Sequence, residues 1–288
     1  MIPCNMSSNP DFAARLKSYR AQSFATAPGL QLHSLDQAVA FIESRRLATL
    51  WPVKGVDLPN LWQATAGDRP VADEHDDPGH ITWRWKDQLL DQQRVYYGKL
   101  LRGRATFASL ELLPYLYAVS PRVADLDDYR LAYEAGHLTH EAKQIGDALL
   151  QNGPLHTIDL RRAAHQSSDG AKGRFERALT VLQRGLWVVP IGVAEAGAWR
   201  YAFIYELFDR WFDRIPDLAR PIKVRAAQEE IVAACLHASG AAGAADMARM
   251  LSWPIADIRR TLQRLADRSL AIEVPDFGWA AAALEEGA

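Results

Sequence analysis

GAAGAADMARMLSWPIADIRRTLQRLADRSLAIEV, residues 240–274, carries the pattern that decides the fold. Ala245, Met247, Ala248 and Leu251 line a first helix, and Ser252-Trp253-Pro254 makes a turn, since proline removes a backbone donor and restricts the residue before it. Ile258, Leu262 and Leu265 recur at helical spacing on the next helix, leaving Arg259, Arg260 and Arg264 to project elsewhere at its surface. Leu270–Val274 then reads as a strand. A positioning helix, a turn, a second helix with basic residues and a β-branched strand together spell a helix-turn-helix of the winged kind.

A second copy lies upstream. Ile145, Leu149 and Leu150 supply its first helix, and Gly153-Pro154-Leu155 leads into Asp159–Ala163. Phe175, Leu179 and Leu182 mark a third helix, and Trp187–Pro190 pairs with Trp199–Phe203 as a wing across Gly192–Gly197. From Pro154 to Pro190, Arg161, Arg162, Lys172, Arg174, Arg177 and Arg184 outnumber Asp159, Asp169 and Glu176. Such a window can displace counterions from phosphates, although the whole chain has a formal net charge of −2. Arginines on amphipathic helices also form ordinary solvated faces, and winged helices dock proteins as well as nucleic acids.

The rest of the chain is less regular. Residues 1–33 read as a polar arm with one short helix near Asp11–Arg20. Ser34-Leu35-Asp36-Gln37 is a capping box opening a helix through Ala38, Phe41, Ile42 and Arg45. Leu61 and Trp62 resume a short helix, and the Asp- and Pro-rich run from Gly67 to Gly79 is a solvated loop without an EF-hand register. Trp85, Leu89 and Leu90 share a helix face, and residues 95–107 suggest a hairpin. Glu111–Val119 and Tyr129–His137 read as further helices.

With 288 residues, 49% of them hydrophobic and 24% charged, the chain supports more than one small globular unit. The expected division is an arm at 1–33, an irregular unit at 34–122, a second at 123–215 and a third at 216–288. The fold class is mainly α with small β-hairpins, in tandem winged-helix domains. Cys4 and Cys235 have no metal-ligand spacing, and His137 and His140 sit at a helix end, so no metal is expected. Walker, Rossmann and nucleophile-elbow motifs are missing, so no cofactor is expected either. With neither a secretory core nor an apolar span, the expected location is cytoplasmic, away from membranes.

This order of elements resembles the winged-helix proteins related to the AlkZ-type bacterial DNA glycosylases, which excise alkylated bases or unhook interstrand crosslinks. The resemblance rests on the helix near 35–46, the segment from Tyr97 to Phe107, the unit opened by Gly153-Pro154-Leu155 and the C-terminal helix-turn-helix. It implies three tandem winged helices forming a concave basic surface around double-stranded DNA. Arg104-Ala105-Thr106 partly matches an Arg-Gly-Thr run of the glycosylases. Their catalytic mark is a pair of glutamines, or glutamine and aspartate, flanking one apolar residue, which positions water beside the glycosidic bond. Where that pair should fall this chain reads Leu47-Ala48-Thr49-Leu50-Trp51-Pro52, with no amide or carboxylate to orient water. The implied function is DNA binding by a noncatalytic or chemically diverged relative, with phosphate contacts from Arg161, Arg162, Arg174, Arg177, Arg184, Arg259, Arg260 and Arg264.

Two alternatives stand beside it. One is an active, diverged glycosylase using the first unit, where Trp51, Trp62, Trp83 and Trp85 cluster in sequence with Lys86, Asp87, Tyr97 and Lys99. Aromatic walls there could stack a displaced base, with Asp87 as general base or Lys99 as an amine nucleophile, although nothing in the sequence lowers the Lys99 pKa. The other is a scaffold whose winged helices dock a protein partner.

Overall fold

In the computed structural model, residues 10–74 and 76–284 are described; Cys4 and the outer ends of the arm and tail lie outside them. After α1 (Pro10–Ser23), the chain runs α2 (Leu35–Arg45), β1 (Leu47–Thr49), α3 (Leu61–Ala66), α4 (Ile81–Leu89), β2 (Tyr96–Gly98) and β3 (Thr106–Ala108). Two short helices, α5 (Leu113–Ala118) and α6 (Tyr129–Glu134), lead to α7 (His140–Asn152), β4 (Leu155–His156), α8 (Thr157–Ala163), α9 (Lys172–Arg184), β5 (Val188–Ala194) and β6 (Ala202–Leu207). Then α10 (Phe208–Trp211) and α11 (Ile215–Ala219) precede α12 (Val224–Ser239), β7 (Ala241–Ala242), α13 (Ala244–Leu251), α14 (Ile255–Asp267), β8 (Ala271–Val274) and β9 (Gly278–Ala281).

The same order occurs three times among the described residues: helix, short strand, two helices, hairpin. The three antiparallel sheets have equivalent orders, β1-β3-β2, β4-β6-β5 and β7-β9-β8, with the last strand central each time. That is the winged-helix plan, and the stretch that reads as irregular in sequence follows it too. In the third copy Ile258, Leu262 and Leu265 are fully buried, and Ser252 adopts the left-handed conformation (φ 59°) that ends α13. No helix among the described residues is long and apolar enough to cross a membrane.

Several local expectations change. Residues 10–23 are not a free arm: Phe12 and Leu16 of α1 pack with Ala241, Val274 and Ala280 of the C-terminal sheet. Tyr19 donates to the His237 carbonyl, and Arg20 to those of Ser239 and Ala241. Gly240 permits this close approach, because it turns at φ +78° and a Cβ there would meet Leu16 at 2.7 Å. The Ser34 hydroxyl does accept the Gln37 amide, but the Gln37 side chain accepts from His33 N–H instead of closing a true capping box. Strand β6 begins at Ala202, because Gly197 and Arg200 turn at positive φ; this leaves Trp199 at the hairpin tip, 92% exposed.

The winged-helix units share their cores. Tyr117 of α5 lies in one cluster with Phe208, Ile231 and Leu236 from later elements. Polar groups fasten the same junction: Arg122 donates to both Asp128 oxygens at 2.8 Å and to Asp209 at 2.6 Å, all buried.

Candidate functional site

A cleft of about 790 Å³ opens where the first sheet meets the wing of the second. Trp51-Pro52-Val53-Lys54, following β1, forms one side. Helix α4 contributes Trp83, the β2–β3 hairpin contributes Tyr97, Lys99, Arg102 and Arg104, and β6 contributes Phe203. The Trp51 and Trp83 rings stack with centroids 6.2 Å apart and 28° between planes, and Tyr97 and Phe203 stack at 6.4 Å and 30°. Thr106 fixes the hairpin: it is fully buried, donates to the Arg104 carbonyl at 2.9 Å and accepts from Leu101 N–H at 3.3 Å.

Behind this aromatic wall Lys86 is wholly buried. Its Nζ lies 4.1 Å from the Trp83 ring centroid and 4.5 Å from that of Phe203, with Tyr201 and Tyr97 at 5.2 and 5.9 Å. It donates to Asp87 Oδ1 and to Tyr201 Oη, each at 2.5 Å, and Tyr201 donates to the same Asp87 oxygen at 2.7 Å. This closed triangle joins α4 to the second unit's wing and keeps the rings in place. Burial lowers the Lys86 pKa, with Asp87 opposing, and drives that of Tyr201 well above its ordinary range.

The four cations of the cleft, Lys54, Lys99, Arg102 and Arg104, take part in no ion pair among the described residues. Arg102 Nη1 only donates to the Lys54 carbonyl, at 3.1 Å. Lys99, for which the sequence offered no perturbation, has its pKa lowered by partial burial and by Arg104. Among the described residues no carboxylate lines the cleft. An unneutralised cationic cleft with aromatic walls suits an anion carrying a planar group.

The sequence-selected residues therefore separate. Trp51, Trp83, Tyr97 and Lys99 line the cleft, and Lys86 and Asp87 stand behind it. Trp62 and Trp85 do not line it: they are buried, and Trp62 Nε1 is bonded to the Arg69 carbonyl. Sequence reading missed Lys54, Arg102, Arg104, Tyr201 and Phe203 as site residues. The Arg-Gly-Arg spacing at 102–104 was an available signal for two of these, but the approach of β6 to α4 was not.

The helix arginines separate too. Arg174, Arg177 and Arg184 share the face of α9 opposite buried Phe175, Leu179 and Leu182; Arg174 pairs with Glu141, while Arg177 and Arg184 are exposed and in no ion pair among the described residues. Arg161 is turned inward to the Gln166 and Ser168 carbonyls, and Arg162 pairs with Asp159. On α14, Arg259 is exposed and Arg260 pairs with Asp257. Arg264 is not the free surface cation its helical position suggests, because it donates to Glu229 at 2.7 Å, a carboxylate also held by Arg225 and Arg268. Burial raises the Glu229 pKa, but these arginines more than offset it and the net shift is downward.

Strand β1 covers Leu47–Thr49, the start of the stretch in which the family resemblance led us to expect a water-positioning pair. Leu47 and Ala48 are fully buried, and Thr49 Oγ1 is spent on the Trp51 carbonyl at 2.8 Å. No cluster of metal-binding side chains forms among the described residues. Three winged-helix copies, with an aromatic and cationic cleft between the first two, define a class of mainly helical tandem winged-helix proteins. The chain belongs to the AlkZ-related family, whose model matches residues 32–252. Among solved structures it is similar to the Streptomyces sahachiroi DNA glycosylase AlkZ, with a TM-score of 0.54 and 13% identity, covering 94% of this chain and 70% of that one. At that identity the likeness shows the fold. No curated protein matches the sequence.

Proposed function

We propose that this chain is a DNA-repair-related protein that binds double-stranded DNA in the cytoplasm but does not excise bases by the water-positioning route of the AlkZ glycosylases. The observation carrying this reading is a contrast: the cleft keeps four unneutralised cations, while β1 beside it holds only buried Leu47, Ala48 and Thr49, with no amide or carboxylate to orient water. We assign one unit to each sheet, 34–122, 123–215 and 216–288, and place α1 with the last of them. Arg177 and Arg184 on α9 and Arg259 on α14 are assigned to the duplex backbone. Arg264 is assigned to stability instead, through Glu229.

Asp87 is a poor general base in this arrangement, because its Oδ1 already accepts from Lys86 and Tyr201 and it does not line the cleft.

The test measures affinity and chemistry on the same duplexes. Affinity for intact duplex should fall linearly on a log–log plot against salt, and replacing Arg177, Arg184 and Arg259 together by alanine should flatten the slope by roughly 2.7, about 0.9 for each phosphate left without its arginine. An unchanged slope refutes the assignment of these arginines. Incubation with alkylated duplex followed by alkali should leave the strands uncut; accumulation of abasic sites would instead establish an active glycosylase. Absence of duplex binding at low salt, with a specific protein recovered as partner, would favour the scaffold.

A further inference from the structure

We propose that the cleft is a seat for a single unpaired nucleotide of a DNA strand, its base against Trp51 and Trp83 and its flanking phosphates on Lys54, Arg102 and Arg104. This rests on the duplex-binding reading and adds to it a preference for DNA that presents an extrahelical base.

A base paired within a duplex offers only its edges, whereas an unpaired one offers a π-face that stacks on an aromatic ring whatever its identity. Trp83 is 41% exposed, with its ring beside that of Trp51 on the cleft side. An exposed tryptophan held from behind by a buried lysine is a prepared surface, since the Lys86 triangle fixes the ring before any ligand arrives. The volume of about 790 Å³ lies within the range of small-molecule sites and accepts a nucleotide.

The cations say what the base is attached to. They fall into two neighbouring pairs: Arg102 donates to the Lys54 carbonyl at 3.1 Å, and Lys99 feels the charge of Arg104. Two pairs of cations suit consecutive phosphodiesters along a strand. The β2–β3 hairpin turn also rests on α9, where a Cβ at Gly103 would lie 3.1 Å from Thr180 Cγ2. Thr180 falls between Arg177 and Arg184 at spacings of three and four, on one helix face. A strand leaving the cleft past Arg102 and Arg104 therefore reaches the face of α9 that carries Arg177 and Arg184, with Glu176 the acidic neighbour one turn before Thr180.

The experiment compares two labelled duplexes, identical except for one unpaired adenine, by fluorescence anisotropy at one salt concentration while tryptophan emission is followed. The bulged duplex should bind about tenfold more tightly and quench the emission, a preference of the size that one base-on-aromatic stack supplies. In Trp83→Ala the ratio of the two affinities should collapse toward one, and Trp83→Phe should restore part of it, which separates lost stacking from lost folding. Equal affinities in the unaltered protein overturn the proposal, as does an unchanged ratio in Trp83→Ala. Deoxyadenosine monophosphate quenching the same emission as tightly as the bulged duplex would assign the cleft to free nucleotides and also overturn it. Binding of the bulged duplex alone would uphold the seat and refute the duplex reading; binding of neither would refute both.

Discussion

Replacing Arg122 with alanine is expected to lower stability by about 3–5 kcal/mol, the cost of leaving buried charges without their counter-ion. Its side chain is 2% exposed, and those of Asp128 and Asp209 are 1% and 8%. The guanidinium also donates to the carbonyls of Leu186 and Asp125, while Asp128 accepts from Trp187 Nε1 and Asp209 from the Tyr117 hydroxyl. One arginine therefore ties the α5–α6 connection to the start of the second wing and to α10. Burial already raises the Asp209 pKa, with Arg122 acting to lower it, so removing Arg122 pushes that carboxyl further up. A carboxyl raised in the folded state binds more protons there than in the unfolded chain, so the variant's stability must fall as pH rises through that window. Urea melts should show a smaller deficit at about pH 5 than near neutrality. Adding Asp209→Asn to an Arg122→Met background should cost less than the two changes summed. A loss under about 1 kcal/mol, the size of an exposed pair, would refute the buried-cluster account.

The third unit was legible because its apolar residues recur at strict helical spacing and its turn carries Ser252 and Pro254. The first unit hid the same plan. Its β1 is three residues long and buried on both faces, so Leu47-Ala48-Thr49 shows no alternation, and α3 and α4 are separated by the acidic loop. Of the site, sequence proximity on one helix or hairpin revealed Trp83, Lys86, Asp87, Tyr97 and Lys99. Tyr201 and Phe203 are more than a hundred residues away and arrive by tertiary packing of a wing, which local pattern cannot encode. The same limit explains Arg264: helical spacing puts it on the surface of its own helix, but Glu229 comes from α12.

Lys86→Met should cost about 2–4 kcal/mol and should do so increasingly as pH rises. The substitution preserves the buried stem but removes the charge from four aromatic faces and two donors from Asp87 and Tyr201. Asp87 retains the Tyr201 hydroxyl and some solvent, which keeps the cost below that expected at Arg122. The sign of the pH effect follows from burial, which lowers the folded-state pKa of Lys86 beneath its unfolded value. Between those two values the unfolded chain binds more protons, so the native protein gains stability from this group as pH increases; methionine abolishes that gain. Comparing denaturant midpoints of the two proteins from neutral to mildly alkaline pH isolates the lysine, because the tyrosines around it have pKa values raised above that range. Parallel pH curves would mean that the ammonium carries no net burial penalty. A widening gap, together with a lost preference for bulged duplex, would make Lys86 the residue that sets the rings of the cleft by holding the second wing against the first unit.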